Sequence, residues 1–489
     1  MSEMQTIAKF GQIYTLGNLV NRSAGFLLIP LYTYTLTLEE YGLLAILLAL
    51  TDILSLLFGF GFTAGIGRFY FDVDSNSETA TQDRQVIVST VFIGVLLTSI
   101  FIGVAAYPLS LALTYIIFNS TEHSTLFMVA IWGLIFTILF EVLIGYITVQ
   151  KKAWLFFSVS MCKAVLFISL NIGLVYFLEL GVLGIVYASF ISMASISIVG
   201  LVGVFKQVGF QFSYPIFIDI LKYSLPLVPS AVSNAGMTLA ERFFLNLLAG
   251  PAAVGAYALA CKLASLLRMF IATPFSQIFF VRRFESLAAN ENQQEFHKIF
   301  LIFVGIMASS SLFLSLFSIE IIDIIAPKNY SSVSIMLPLI GLSLVVASIN
   351  QNIELGILFT KKTWAIASIG IVSFILCLPS NWLFIGEFGV LGAVYSLVFI
   401  NLARLLLTVW ANHKIGTQLI QLDWGRTAVI LLFSSLLGMY FVQPKFESFD
   451  FQTVLLKLIV GLAFVFILLF SNILDHRIKY KITALFSRS

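Results

Sequence analysis

Charge is what this chain has least of: only 10% of its 489 residues are Asp, Glu, Lys or Arg, whereas 60% are apolar, and its mean hydropathy is +1.02. That balance excludes a water-soluble globular fold, whose surface would need far more charged groups. Cysteine is scarce too. Cys162, Cys261 and Cys377 each lie inside an apolar run and far from one another, which excludes a disulfide framework and a zinc-type spacing. The four histidines, His123, His297, His413 and His476, stand singly near the ends of runs, so metal catalysis has no ligand set. No Gly-rich loop ends in Gly-Lys-Ser or Gly-Lys-Thr, which removes that mode of ATP binding, and no run carries regularly spaced arginine, which removes a voltage sensor. Strict polar–apolar alternation is missing as well, excluding a transmembrane barrel. The segments between runs are too short to fold into an external catalytic domain. Neither an enzymatic activity, a cofactor nor a nucleic-acid partner is expected.

What is present is a succession of apolar runs. Fourteen fit membrane spans: 10–35, 41–66, 86–107, 125–149, 155–177, 182–204, 223–249, 252–280, 299–325, 333–359, 364–385, 390–411, 427–442 and 453–474. A bilayer offers backbone groups no water, so each run of about 20 residues must be a helix satisfying its own hydrogen bonds. The chain therefore reads as an all-α polytopic membrane protein. The first run continues past twenty residues without a small-residue cleavage site and is expected to be a retained span. Connections alternate in charge: one set carries eighteen Lys and Arg, including Lys9, Lys151, Lys152, Lys206 and Arg477, while the opposite set carries only Lys328 and Lys445. The basic set is expected to be cytoplasmic, with both termini on that side. The longest external connection is expected from about Pro108 to Ser124.

The chain also repeats itself. Lys151-Lys152-Ala153-Trp154, Asn171, Gly181-Val182-Leu183-Gly184 and Tyr187 recur as Lys361-Lys362-Thr363-Trp364, Asn381, Gly389-Val390-Leu391-Gly392 and Tyr395. The offset is 361 − 151 = 210 residues at the start and 395 − 187 = 208 at the end, so a two-residue difference lies between. Six spans per repeat predict two pseudo-symmetric six-helix lobes, 1–204 and 223–412. An interfacial linker rich in Phe and Tyr is expected at 205–222, and two appended spans with a tail at 413–489.

Ionisable groups within spans are costly and therefore point to function or to pairing. Counting about 1.5 Å per residue from each turn matches depths. Glu141 and Lys163 flank the turn at Lys152 equally, which predicts an ion pair. Arg22 with Asp52, and Glu241 with Lys262, match similarly and serve as static bridges or working sites. Arg242, Arg268 and Arg404 find no acid by this count, because Glu354 lies too near its helix end. An arginine cannot shed its proton, so these heads either snorkel to an interface or line a wet cavity. A planar guanidinium there suits phosphate or pyrophosphate.

The arrangement of six, six and two spans, the opening run with Arg22 and Pro30, Glu40-Tyr41-Gly42, and Gly65-Ile66-Gly67-Arg68-Phe69-Tyr70-Phe71-Asp72 together resemble the polysaccharide transporter family of the multidrug/oligosaccharidyl-lipid/polysaccharide exporter superfamily, which includes O-antigen flippases. The resemblance implies two lobes rocking between inward-open and outward-open states in a bacterial inner membrane. It implies as substrate a polyprenyl-pyrophosphate-linked oligosaccharide, passed to the outer leaflet, with membrane lipid and glycan assembly proteins as partners. Arg22 best fits the cavity arginines of that group. Arg242, Lys262, Arg268 and Arg404 join it as expected pyrophosphate or glycan contacts on charge alone. Asp52 and Glu241 are the expected sites of coupling to H+ or Na+. The alternative is a cation antiporter of the multidrug and toxic compound extrusion branch, whose cavity should be acidic; here six basic groups face four acidic ones within the spans.

Overall fold

A computed structural model of the protein describes residues 3–74, 78–288, 294–360, 362–416, 424–443 and 451–470. Among the described residues every regular element is a helix. Lys361, most of the basic tail, including Arg477, and the side chain of Arg22 lie outside the described set.

The chain divides into two compact units, Met1–Leu247 and Leu248–Ser489. The first holds α1 (Glu3–Leu27), α2 (Ile29–Thr35), α3 (Leu38–Phe58), α4 (Phe62–Asp72), α5 (Ala80–Phe118), α6 (Ser124–Val149), α7 (Ala153–Asn171), α8 (Gly181–Val208), α9 (Tyr214–Ser224) and nearly all of α10 (Val228–Ala249). The second holds α11 (Pro251–Leu267), α12 (Thr273–Ala288), α13 (Gln294–Leu316), α14 (Ser318–Ile325), α15 (Val333–Phe359), α16 (Thr363–Phe388), α17 (Val390–Ile415), α18 (Trp424–Phe441) and α19 (Phe451–Phe470). Twelve helical stretches are long and apolar enough to cross a membrane, or thirteen if α9 and α10, bent by 51°, form one span. The remaining predicted span, 10–35, corresponds to α1 and α2. The helix breaks there at Leu28, because Pro30 at the start of α2 has no N–H to continue the ladder.

The two compact units meet at 247/248, whereas the sequence places an interfacial linker at 205–222. One expectation changes. The supposed loop from Pro108 to Ser124 is mostly helix: α5 carries Pro108 in its interior and ends at Asn119, which takes the left-handed conformation at φ 51°. The apolar stretch after Pro108 outweighs one lost hydrogen bond in a lipid-like setting.

Within each unit one helix is central. In the first, α6 is packed by α3, α4, α5 and α8; in the second, α15 is packed by α11, α13, α17 and α18. These are the fourth span of each predicted repeat. The repeated residues explain themselves as scaffold. Gly181 and Gly389 sit at φ 55° and 57°, the left-handed region that a side chain disfavours. Gly184 and Gly392 let the end of the preceding helix come close, a Cβ meeting the Leu174 carbonyl at 3.0 Å in one case and running into the Phe384 carbonyl in the other. Asn171 and Asn381 are fully buried, and Asn171 accepts a 2.8 Å hydrogen bond from Tyr32 Oη. Trp154 and Trp364 are 63% and 67% exposed, as interfacial anchors should be. The two-residue difference between repeats falls where the first unit has a π-helical turn, Ile172–Phe177, while α16 runs unbroken to Phe388. The wider i→i+5 turn takes up added chain.

The family-like segments are likewise structural. Glu40 closes a capping box with Thr37, whose hydroxyl accepts from the Glu40 amide at 3.2 Å while the Glu40 carboxylate accepts from the Thr37 amide at 2.9 Å. Gly65 permits α9 to approach α4, since a Cβ there would lie 2.6 Å from the Ile220 side chain. Replacing Gly392 by Ala is expected to destabilise the protein by about 1–3 kcal/mol, because the obstacle is backbone and cannot rotate away. Gly370→Ala, where a Cβ meets nothing within 4 Å, is the control and is expected to be neutral or stabilising. Apparent thermal unfolding midpoints in detergent compare the two.

Candidate functional site: an intramembrane charge array

Arg242 lies on α10 and donates from Nη1 to the Ala45 carbonyl at 2.9 Å, inside the hydrophobic stretch of α3. One turn further along α10, Asn246 donates to the Ile117 carbonyl at the end of α5 at 3.1 Å. These contacts seat α10 in the first unit. Asp52 follows Ala45 by seven residues on α3, two helical turns, and so shares its face. The Asp52 carboxylate is within electrostatic reach of the Arg242 guanidinium and of the Glu141 carboxylate on α6. Glu141 in turn is within reach of Lys163 on α7, whose ammonium stands over the Phe140 ring, 4.6 Å from its centroid. Four charges thus follow one another across α10, α3, α6 and α7 in the order plus, minus, minus, plus.

This arrangement revises three sequence expectations. Arg242 does have an acid near it, and it is Asp52. The depth count missed this because α10 follows Asp52 by some 190 residues and its neighbours cannot be inferred from adjacent turns. Glu141 and Lys163 share a region, as their equal depths predicted, but Lys163 rests on an aromatic face instead of closing a direct ion pair with Glu141. Arg404 is paired with Glu354: Nη2 and Nε approach Oε1 at 3.2 and 3.3 Å, and Asn350 donates to the same oxygen at 2.8 Å. The guanidinium reaches along its helix toward the end of α15, which residue counting from Cα positions ignores. Arg404 is therefore held in a three-residue polar cluster in the second unit.

The other expected site residues are placed as follows. Glu241 is buried on α10 and Lys262 is half-buried on α11. Arg268 is exposed and opens a π-helical turn, Arg268–Ala272, that interrupts the span from Pro251 to Phe280. Such turns redirect the side chains that follow and recur at functional sites. Arg22 lies on α1.

One pair was overlooked altogether. Lys457 on α19 meets Glu320 on α14 at 2.6 Å, with their side chains 0% and 8% exposed. Both were visible as lone charges near the same side of their spans, and the depth count applied to Arg22 and Asp52 would have matched them. Among the described residues no cluster of His, Cys, Asp and Glu could hold a metal ion.

Chemically, the array brings two carboxylates, Asp52 and Glu141, into the company of a guanidinium, Arg242, and an ammonium, Lys163, within the spans. Arg242 at the rim of this array carries the fixed positive charge.

The family described as "Polysaccharide biosynthesis protein" matches residues 8–280. The fold is shared with the lipid II flippase MurJ in an inward closed conformation, with TM-score 0.72 and 14% identity over 94% of this chain and 97% of that one. An inward-facing multidrug resistance MATE family transporter of the MOP superfamily gives TM-score 0.66 and 16% identity over 82% and 94%. A MOP superfamily transporter from Pyrococcus furiosus, described as having a binding pocket of reverse polarity, gives 0.56 and 16% over 83% and 96%. No curated protein matches the sequence.

Proposed function

The chain belongs to the polysaccharide biosynthesis protein family, and from that premise we propose that it is a flippase moving a polyprenyl-pyrophosphate-linked oligosaccharide from the cytoplasmic to the outer leaflet of a bacterial inner membrane. Similar folds have been captured inward-facing and outward-facing, and this chain would cycle between such states with both termini cytoplasmic, the side its basic connections favour. The observation that carries the reading is Arg242: a guanidinium held within a membrane span by a backbone carbonyl, where its charge cannot be discharged. Fixed cations of this kind suit a diphosphate, and Arg268, Lys262 and Arg22 would add to the grip. Arg404 contributes less, since Glu354 already neutralises it. Asp52, together with Glu141, would couple the cycle to H+ or Na+; Glu241 on α10 is a second coupling candidate. Glycan assembly proteins would supply and consume the substrate.

A second reading, a cation antiporter, is favoured by the nearness of Asp52 to Glu141, since two carboxylates suit a cationic ligand. Charge reversal separates the two. In cells lacking their own flippase, Arg242→Glu with Arg268→Glu is expected to reduce surface glycan to background at normal membrane abundance. Retained glycan export would sink the flippase reading, and gain of cationic dye efflux would support the antiporter.

A further inference from the structure

A groove of about 400 Å³ opens between α6, α7 and α8 of the first unit. Leu143, Leu155, Val199 and Gly203 form its walls, and Gln150 and Gln207 stand at one end. It exists for local reasons. The chain leaves α6 through Lys151 in the left-handed conformation, φ 57°, which turns α7 away, and Gly203 presents no side chain to fill the gap. Leu155 and Val199 are exposed, on helices that cross the membrane. In a bilayer no hydrophobic force closes such a groove, because a lipid chain packs there as well as a protein side chain does.

Its polar end decides what enters. Gln150 is followed by Lys151 and Lys152, and Gln207 is preceded by Lys206, all three lysines being exposed. No Asp or Glu occurs within 142–163 or 181–213, so nothing on these stretches of the three helices offsets the cations. An apolar slot ending in two amides, with three exposed lysines next to those amides in the chain, complements one chemistry: a hydrocarbon chain attached to a phosphate through a polar link. We infer that this groove is a binding site for an anionic phospholipid, with one acyl chain along Leu143, Leu155 and Val199 and the phosphate at Lys151, Lys152 and Lys206. The site is separate from the charge array and does not depend on what the protein transports.

The test uses the full-length protein taken from vesicles of equal phosphatidylcholine and phosphatidylglycerol and examined by native mass spectrometry. One phosphatidylglycerol per chain is expected to be retained, enriched roughly tenfold over phosphatidylcholine, as a few juxtamembrane lysines provide. Lys151→Gln with Lys152→Gln and Lys206→Gln is expected to bring that ratio to about one. Gly203→Leu, at a position where a Cβ meets no atom within 4 Å, should fold normally, keep every charge and lose the retained lipid. A ratio near one in the unaltered protein, or undiminished retention in Gly203→Leu, overturns the site. Displacement of phosphatidylglycerol by equimolar polyprenyl phosphate overturns the choice of occupant.

Discussion

Lys457→Met is expected to lower the stability of the protein by about 3–5 kcal/mol, the usual cost of removing one member of a buried ion pair. The ammonium is fully enclosed and touches Glu320 at 2.6 Å, while the second carboxylate oxygen of Glu320 has no hydrogen-bond partner in its buried position. Without Lys457 that carboxylate is left inside the protein with neither counter-charge nor water. The pair joins α19 to α14, so the substitution should also free the last described helix from the second unit. At fixed heating rate in detergent, the apparent midpoint should fall by roughly 3–5 °C. Lys457→Met combined with Glu320→Met, which removes both charges while keeping bulk, is expected to recover most or all of the loss. A single variant as stable as the parent would show that the pair is not closed in the membrane.

Under the proposed flippase cycle, Asp52→Asn combined with Glu141→Gln is expected to cut glycan transport by roughly 5- to 150-fold, the span of a 1–3 kcal/mol coupling, with membrane abundance maintained. Asp52 is within electrostatic reach of Arg242, and Glu141 of Asp52 and Lys163. Each single change leaves one acid to balance the array, so the singles should retain more transport than the pair. With both acids neutral, the Arg242 guanidinium keeps its charge, and α10 carries it unbalanced through every state. Asp52→Glu, which preserves the charge, should keep most activity. Reconstituted vesicles loaded with a fluorescent lipid-linked oligosaccharide report the rate, and full transport by the doubly neutral variant would remove the array from the coupling mechanism.

Where the two levels of description agree, the cause is local. The predicted spans 333–359 and 125–149 coincide almost to the residue with α15 and α6. In lipid each backbone group must be satisfied within its own segment, so hydropathy along the chain dictates where helices run. The Gly-Val-Leu-Gly repeats were equally readable, because a left-handed φ and a close backbone approach are demands made on single residues. The two-residue difference between repeats, read only as a change of offset, takes the form of the π-helical turn in the first unit.

The pairing of charges belongs to the other level. Depth counting supplies one coordinate, distance along the membrane normal, and that sufficed to bring Glu141 and Lys163 into one neighbourhood. It says nothing about which helices are side by side. Arg242 beside Ala45 and Asp52, Arg404 on Glu354, and Lys457 on Glu320 all depend on that lateral order. Helices in a bilayer gain no hydrophobic energy by choosing one neighbour over another; van der Waals fit and a few hydrogen bonds choose for them. The sequence by itself determined a two-fold repeated bundle of membrane helices with cations inside it. Only the tertiary structure decided which acid answers each cation, because that choice is made by the packing of surfaces far apart in the chain.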